Sequence, residues 1–119
     1  MINKLSDEDR KYLAEWFHGG KILETNFHPP QREGAVKEYL YYQDNQGWRP
    51  IANFDTDLNA MYEVEKELIG LDDIYNNCFH FYSGNIARLT GWPLHADAYI
   101  RALAMVKTIK TCREAKLLK

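Results

Sequence analysis

Four histidines, two cysteines and a few paired acids are the residues with which this chain could do chemistry. Cys78-Phe-His80, with His95 further along, could supply soft and imidazole ligands to a zinc ion. That spacing matches no familiar ligand pairing, and no fourth ligand is visible. Cys78 beside a histidine could also form a nucleophile pair, but a buried thiol serving as a small apolar side chain accounts for it more simply. His18 stands at the end of a helical run, where a helix C-terminus favours a cation, and His28 precedes two prolines in a loop. Asp55 with Asp57, and Asp72 with Asp73, could bind a hard cation or divide acid–base work. Helix capping explains the first pair and a turn the second. A glycine-rich phosphate loop, His-Glu-x-x-His and Gly-x-Ser-x-Gly are all absent from the sequence.

Two surfaces remain as candidates. His80, Tyr82, Arg88, His95 and Arg101 could line a groove for a small anionic molecule or nucleotide, with hydrolysis as an associated chemistry. Arg88, Arg101, Lys107, Lys110 and Arg113 supply cations for such a ligand, although a solvated helix face is the simpler reading of the last three. Tyr39, Tyr41 and Trp48 are the candidate protein-interaction patch. No metal, cofactor or catalytic set is expected, and the balance favours binding over catalysis.

The elements that must position these residues are read from periodicity and punctuation. Ser6-Asp-Glu-Asp9 resembles a capping box ahead of a helix whose apolar face is Tyr12, Leu13, Trp16 and Phe17 and which stops at Gly19-Gly20. Lys21-Ile-Leu-Glu24 is compatible with a short extended piece in an otherwise irregular segment. Val36 to Gln43 reads as a β-strand ending in the turn Asp44-Asn-Gln-Gly47, with a short helix as its alternative. Pro50 then biases Arg49 towards extended backbone, and Asp55 or Thr56 can cap a helix over about 57–69, with Asp57 favourable in its first turn. Leu58, Met61, Tyr62, Leu68 and Ile69 form its stripe, Glu65 interrupts it, Val64 widens it, and Gly70 suits a left-handed C-cap.

Residues 71–91 carry two competing patterns. Cys78–Tyr82, Ser83-Gly-Asn85 and Ile86–Thr90 suggest a hairpin turning at Gly84-Asn85, whereas Ile74, Cys78, Phe79 and Tyr82 also sit at helical spacing. On a hairpin, His80 would face away from both Phe79 and Phe81. From about His95 to Lys116 there is neither Pro nor Gly, and Tyr99, Ala102, Leu103, Val106 and Ile109 mark one stripe of a long helix.

With 119 residues, the chain has room for one domain and a single core. The net charge of −2 argues against bulk electrostatic binding to nucleic acid or anionic membrane. The two cysteines make no disulfide framework, no apolar run follows the first residues as a signal peptide would, and no stretch approaches a membrane span. A cytoplasmic protein with reduced thiols is expected.

Three segments together resemble the small phage proteins grouped as the phage ABA sandwich domain. Trp48-x-Pro50 leading into Phe54-Asp-Thr-Asp-Leu-Asn-Ala60 is similar to that family's Trp, Pro and Tyr-or-Phe-Ser-Thr-Asp ahead of a helix rich in small and apolar residues. Val64-x-Lys66 lies inside that helix. His95-Ala-Asp-Ala-Tyr-Ile-Arg-Ala-Leu-Ala104 resembles the family's closing helix. The likeness covers about residues 48–110. An early Met-Gly-Trp-like segment is at best replaced by Glu15-Trp-Phe-His-Gly19, and residues 20–47 have no counterpart.

The resemblance implies a phage or prophage origin and an α+β fold with a small antiparallel sheet, and it brings no catalytic residue. The expectation is three helices around strands at about 36–43, 77–83 and 86–91. The expected role is a non-enzymatic module binding a host or phage protein in the bacterial cytoplasm. A small-ligand protein and a homo-oligomeric assembly protein are the alternatives, the latter favoured if the last helix exposes an apolar face.

Overall fold

The computed structural model describes residues 4–27, 36–43, 46–71, 78–90 and 96–118. It is an α+β fold. In chain order the elements are α1 (Asp7–His18), β1 (Ile22–Phe27), β2 (Val36–Gln43), β3 (Gly47–Pro50), α2 (Leu58–Leu71), α3 (Cys78–Thr90) and α4 (Ala98–Glu114). The strands form one antiparallel sheet in the order β1-β2-β3. No helix among the described residues is long and apolar enough to cross a membrane.

Helix α1 begins and ends as its sequence dictates. The Ser6 hydroxyl accepts the Asp9 N–H at 3.1 Å, three acids occupy the first turn, and Gly19 closes the helix with φ 69° while donating its N–H to the Glu15 carbonyl. Leu13 and Ala14 on its inner side have no exposed surface. The helix lies across one face of the sheet, where Lys11 sits over the Tyr39 ring and His18 stacks on Tyr41. On its other side it meets α4, which also packs against α2 and α3. Helix α4 is therefore central. Ala102, Ala104, Met105, Thr108, Ile109 and Cys112 are all fully buried and fall within an arc of roughly 160° at 100° per residue, a face that takes in Ala102 and Ile109 of the expected stripe but leaves Tyr99 and Leu103 half-buried.

The sheet differs from expectation in two of its strands. The spans 77–83 and 86–91 form no hairpin; Cys78 to Thr90 is one helix, with Cys78, Tyr82 and Ile86 buried at four-residue spacing. Gly84 lies inside it on the exposed side, and Asn85 donates to the Thr108 hydroxyl at 3.0 Å instead of making a turn. The missing strands are β1, which extends the Ile22–Glu24 piece to Phe27, and β3, built from Trp48 and its neighbours.

Pro50 fits β3 for a structural reason. Ile51 donates its N–H to the Tyr39 carbonyl at 3.0 Å, so the pair Tyr39–Ile51 is hydrogen-bonded and the adjacent pair Leu40–Pro50 is not. The ladder requires no N–H at residue 50.

The connection into α2 is tied down at three points. Asp55, nearly buried, accepts the Leu5 N–H at 2.9 Å rather than capping α2. The cap is Asp57, whose carboxylate accepts the N–H groups of Asn59 and Ala60 at 3.0 and 3.3 Å. Arg10 holds the loop from α1, donating to the Asn53 side chain at 2.9 Å and, less closely, to the carbonyls of Ile51 and Ala52. Helix α2 then buries Met61, Val64 and Leu68, while Leu58, Tyr62 and Ile69 stay exposed. Gly70 continues the helix instead of capping it in a left-handed conformation.

Candidate functional site

The helical course of residues 78–90 takes the expected ligand groove apart. Tyr82 turns inward and is buried, whereas His80 and Arg88 are exposed. His95 lies outside the described residues. Tyr82 and Arg101 do come together, but on a carboxylate that closes their site. Glu65 Oε1 accepts the Tyr82 hydroxyl at 2.6 Å and Arg101 at 2.7 Å, with both ends of the ion pair about 15% exposed. Arg101 also donates Nε to the Ala96 carbonyl at 3.0 Å and sits over the Tyr62 ring.

Burial, with Glu65 beside it, pushes the Tyr82 phenol far above its ordinary range. Burial opposes the charge of Arg101, and Glu65 more than offsets this, raising its pKa. This cluster joins α2, α3 and α4, and its polar groups are spent on one another. Glu65, read in sequence as an interruption of the apolar stripe, is its centre.

Two of the other candidate cations, Lys110 and Arg113, are engaged as well. Lys110 pairs with Asp9 at 3.5 Å, and both Lys110 and Arg113 lie about 5 Å from the Tyr12 ring centre. Lys107 is exposed. Cys78 is fully buried while His80 is exposed, so these two do not share a site. Among the described residues no group of three His, Cys, Asp or Glu side chains is placed to hold a metal ion. His28, Asp72 and Asp73 lie outside the described residues.

His18 closes α1 with its ring flat on Tyr41, 3.5 Å between centroids and 5° between planes. Its Nε2 is buried and has no hydrogen-bond partner among the described residues, and burial lowers its pKa. Beside α1 lies an open cleft of about 1140 Å³ with Tyr12, Trp16, Ile22, Arg113 and the apolar tail residues Leu117 and Leu118 on its walls.

The pleat of β2 sorts the expected interaction patch into two faces. Tyr39 is buried and Tyr41 half-buried, both towards α1, so neither belongs to an exposed patch with Trp48. Tyr42 and Leu40 take the outer face instead. Tyr42 pairs across the ladder with Trp48 at a non-hydrogen-bonded position, where side chains approach most closely, and the rings meet edge-on at 5.6 Å. The next row is Leu23, Leu40 and Pro50, one residue from each strand. Tyr42 is 58% exposed, Trp48 47% and Leu23 39%, and helix α1 lies on the opposite face. Tyr42 was legible in the sequence through alternation along β2, and Leu23 only once β1 is recognised as a strand.

The architecture is that of a small antiparallel sheet covered on one face by α1 and backed by α4. No family model, no curated protein and no solved structure matches the chain.

Proposed function

We propose that this protein is a non-enzymatic binding module that engages a protein partner through the outer face of its sheet, with Tyr42 and Trp48 as anchors. The observation that carries the reading is an exposed aromatic pair beside an apolar row on a sheet whose other face is packed. Tyr and Trp are the side chains that most often dominate binding energy, because they bring large area with little rotamer entropy to lose. The phage or prophage source and the cytoplasmic setting are proposed on the resemblance of residues 48–110 and on the composition alone.

The test is affinity capture from the source cell's cytosol with native mass spectrometry of the eluate, comparing the wild type with Tyr42→Ser/Trp48→Ser. Both positions are exposed, so the variant is expected to keep its fold and its unfolding midpoint. A stoichiometric complex formed by the wild type and lost in the variant supports the reading. The same complex formed equally by both overturns it.

A further inference from the structure

We propose that the cleft beside α1 is a docking groove for a basic amphipathic helix of a partner protein, whose apolar stripe meets Trp16 and Ile22 and whose lysines or arginines meet Glu8, Glu15 and Glu67. Ile22 faces α1 like its cross-strand partner Tyr41, so the cleft opens on the other side of the sheet from Tyr42 and Trp48. It is a second surface and does not rest on the reading above.

The cleft runs along one side of α1. Glu8, Tyr12, Glu15 and Gly19 follow one line on the helix at helical spacing, with Trp16 beside it. From Glu8 to Gly19 that line is ~16 Å long at ~1.5 Å per residue, the length of about three helical turns. The volume of about 1140 Å³ exceeds the ~300–1,000 Å³ usual for a small-molecule pocket. Half-buried Tyr12 and Trp16, with Ile22 and the tail residues Leu117 and Leu118, give the cleft its apolar lining.

The charges around that lining are unequally matched. Lys11 is drawn to Glu24 at 3.9 Å and over the Tyr39 ring, and Arg113 lies over the Tyr12 ring. Glu8, Glu15 and Glu67 are exposed, and among the described residues none of the three has an ion-pair partner. Glu15 and Glu67 also stand near the C-terminal ends of α1 and α2. A helix dipole favours a cation there, and α2 has no basic residue in its last turn. Among the described residues, Lys21 is the one lining cation with neither an ion pair nor a ring contact, and it is exposed just beyond Gly19 and Gly20.

These features select the occupant. A helix laid in the groove repeats its apolar side chains on one face and sets them against Tyr12, Trp16 and Leu117. Cations seven residues apart on that helix span about 10 Å, the interval between Glu8 and Glu15 on α1. A carboxylate at the end nearest Lys21 completes the match. The apolar lining supplies contact area, and the charges choose the partner and its register. An acidic helix of the same hydrophobicity would meet three carboxylates of its own sign.

The probe is a synthetic amphipathic helix of about 14 residues, ~21 Å long, with leucines on one face and lysines flanking them. The same peptide with glutamates for lysines is its control. Isothermal titration calorimetry should give the basic peptide a Kd of order 1–100 μM and the acidic one an affinity at least about tenfold weaker. Glu15→Lys suits the end of α1 and should leave the circular dichroism spectrum unchanged while weakening the basic peptide at least about tenfold. Glu63→Lys, an equal charge change on an exposed residue outside the cleft, should alter it less than about twofold. Tyr42→Ser/Trp48→Ser should bind the peptide as the wild type does, so failure of the sheet-face reading leaves this result standing. Amide shift changes on titration should gather at residues 8–21 and 117–118. No binding of the basic peptide at ~1 mM, equal binding of both peptides, or shift changes gathered at Tyr42 and Trp48 overturns the proposal. So do shift changes in the cleft that grow with protein concentration alone, which would make a second copy the occupant.

Discussion

Gly84→Ala separates the two ways of reading residues 78–90 by the sign of one number. Gly84 lies within α3, its φ is not positive, and a Cβ built on it meets no atom within 4 Å. Alanine there loses no contact and restricts the unfolded chain, and the helix-interior difference between the two residues is about 0.8–1 kcal/mol in favour of alanine. Unfolding entropy of about 2.1 cal/mol/K per residue over 119 residues converts that gain to a rise in Tm of about 3–4 °C. Thermal and urea unfolding followed by far-ultraviolet circular dichroism would read it. Gly19→Ala is the internal control. Its site has φ 69°, so alanine there should cost about 1 kcal/mol or more, and Tm should fall. Were Gly84 the corner of a hairpin, it too would need left-handed backbone, and both variants would be destabilised. A fall in Tm for Gly84→Ala would refute the helix.

Two further outcomes follow from buried groups. Tyr82→Phe should cost about 1.5 kcal/mol by deleting a hydrogen bond to a charged acceptor, and Glu65→Ala about 3 kcal/mol by leaving Arg101 and the Tyr82 hydroxyl without their shared partner. In a double-mutant cycle read by urea unfolding, additive losses would contradict a single cluster. His18 has a folded pKa below its unfolded value of 6.5, so its neutral form stabilises the fold above that pH, and the contribution is lost as pH falls through the folded pKa. Thermal unfolding between about pH 7 and 5 should show the wild type losing Tm more steeply than His18→Phe, which keeps a ring on Tyr41; parallel profiles would count against it.

The sequence made some elements plain because local chemistry and packing agree there. Ser6, the apolar face of α1 and Gly19 mark both helix ends without tertiary help. Residues 78–90 were harder because Gly84-Asn85 is also a good hairpin turn. The decision rests on Asn85 finding Thr108 and on α4 offering a surface to Cys78, Tyr82 and Ile86, neither of which is a local property. Strand β3 was hidden by Pro50, which is tolerated only because the register places it where no N–H is needed. For the site, one residue of pleat was decisive. Among four consecutive residues, Tyr39 and Tyr41 turn to α1 while Leu40 and Tyr42 turn out, and composition cannot say which. Glu65 was misread as a break in a stripe because its partners come from two later helices.

The packing of α1 against α4 joins segments about a hundred positions apart, as the Lys110–Asp9 contact shows. On a ribosome, the first helix and the sheet emerge well before α4, the helix that packs against α1. The nascent chain therefore holds an unfinished hydrophobic surface for most of its synthesis, at ~5–20 residues per second. A release late in translation, or a chaperone bound to that surface, would govern the yield of folded protein more than the stability of any one element. The same closure brings the outer ends of the first and last helices near each other, so a short linker joining them, with new termini opened in an exposed loop, should give a permuted protein that folds.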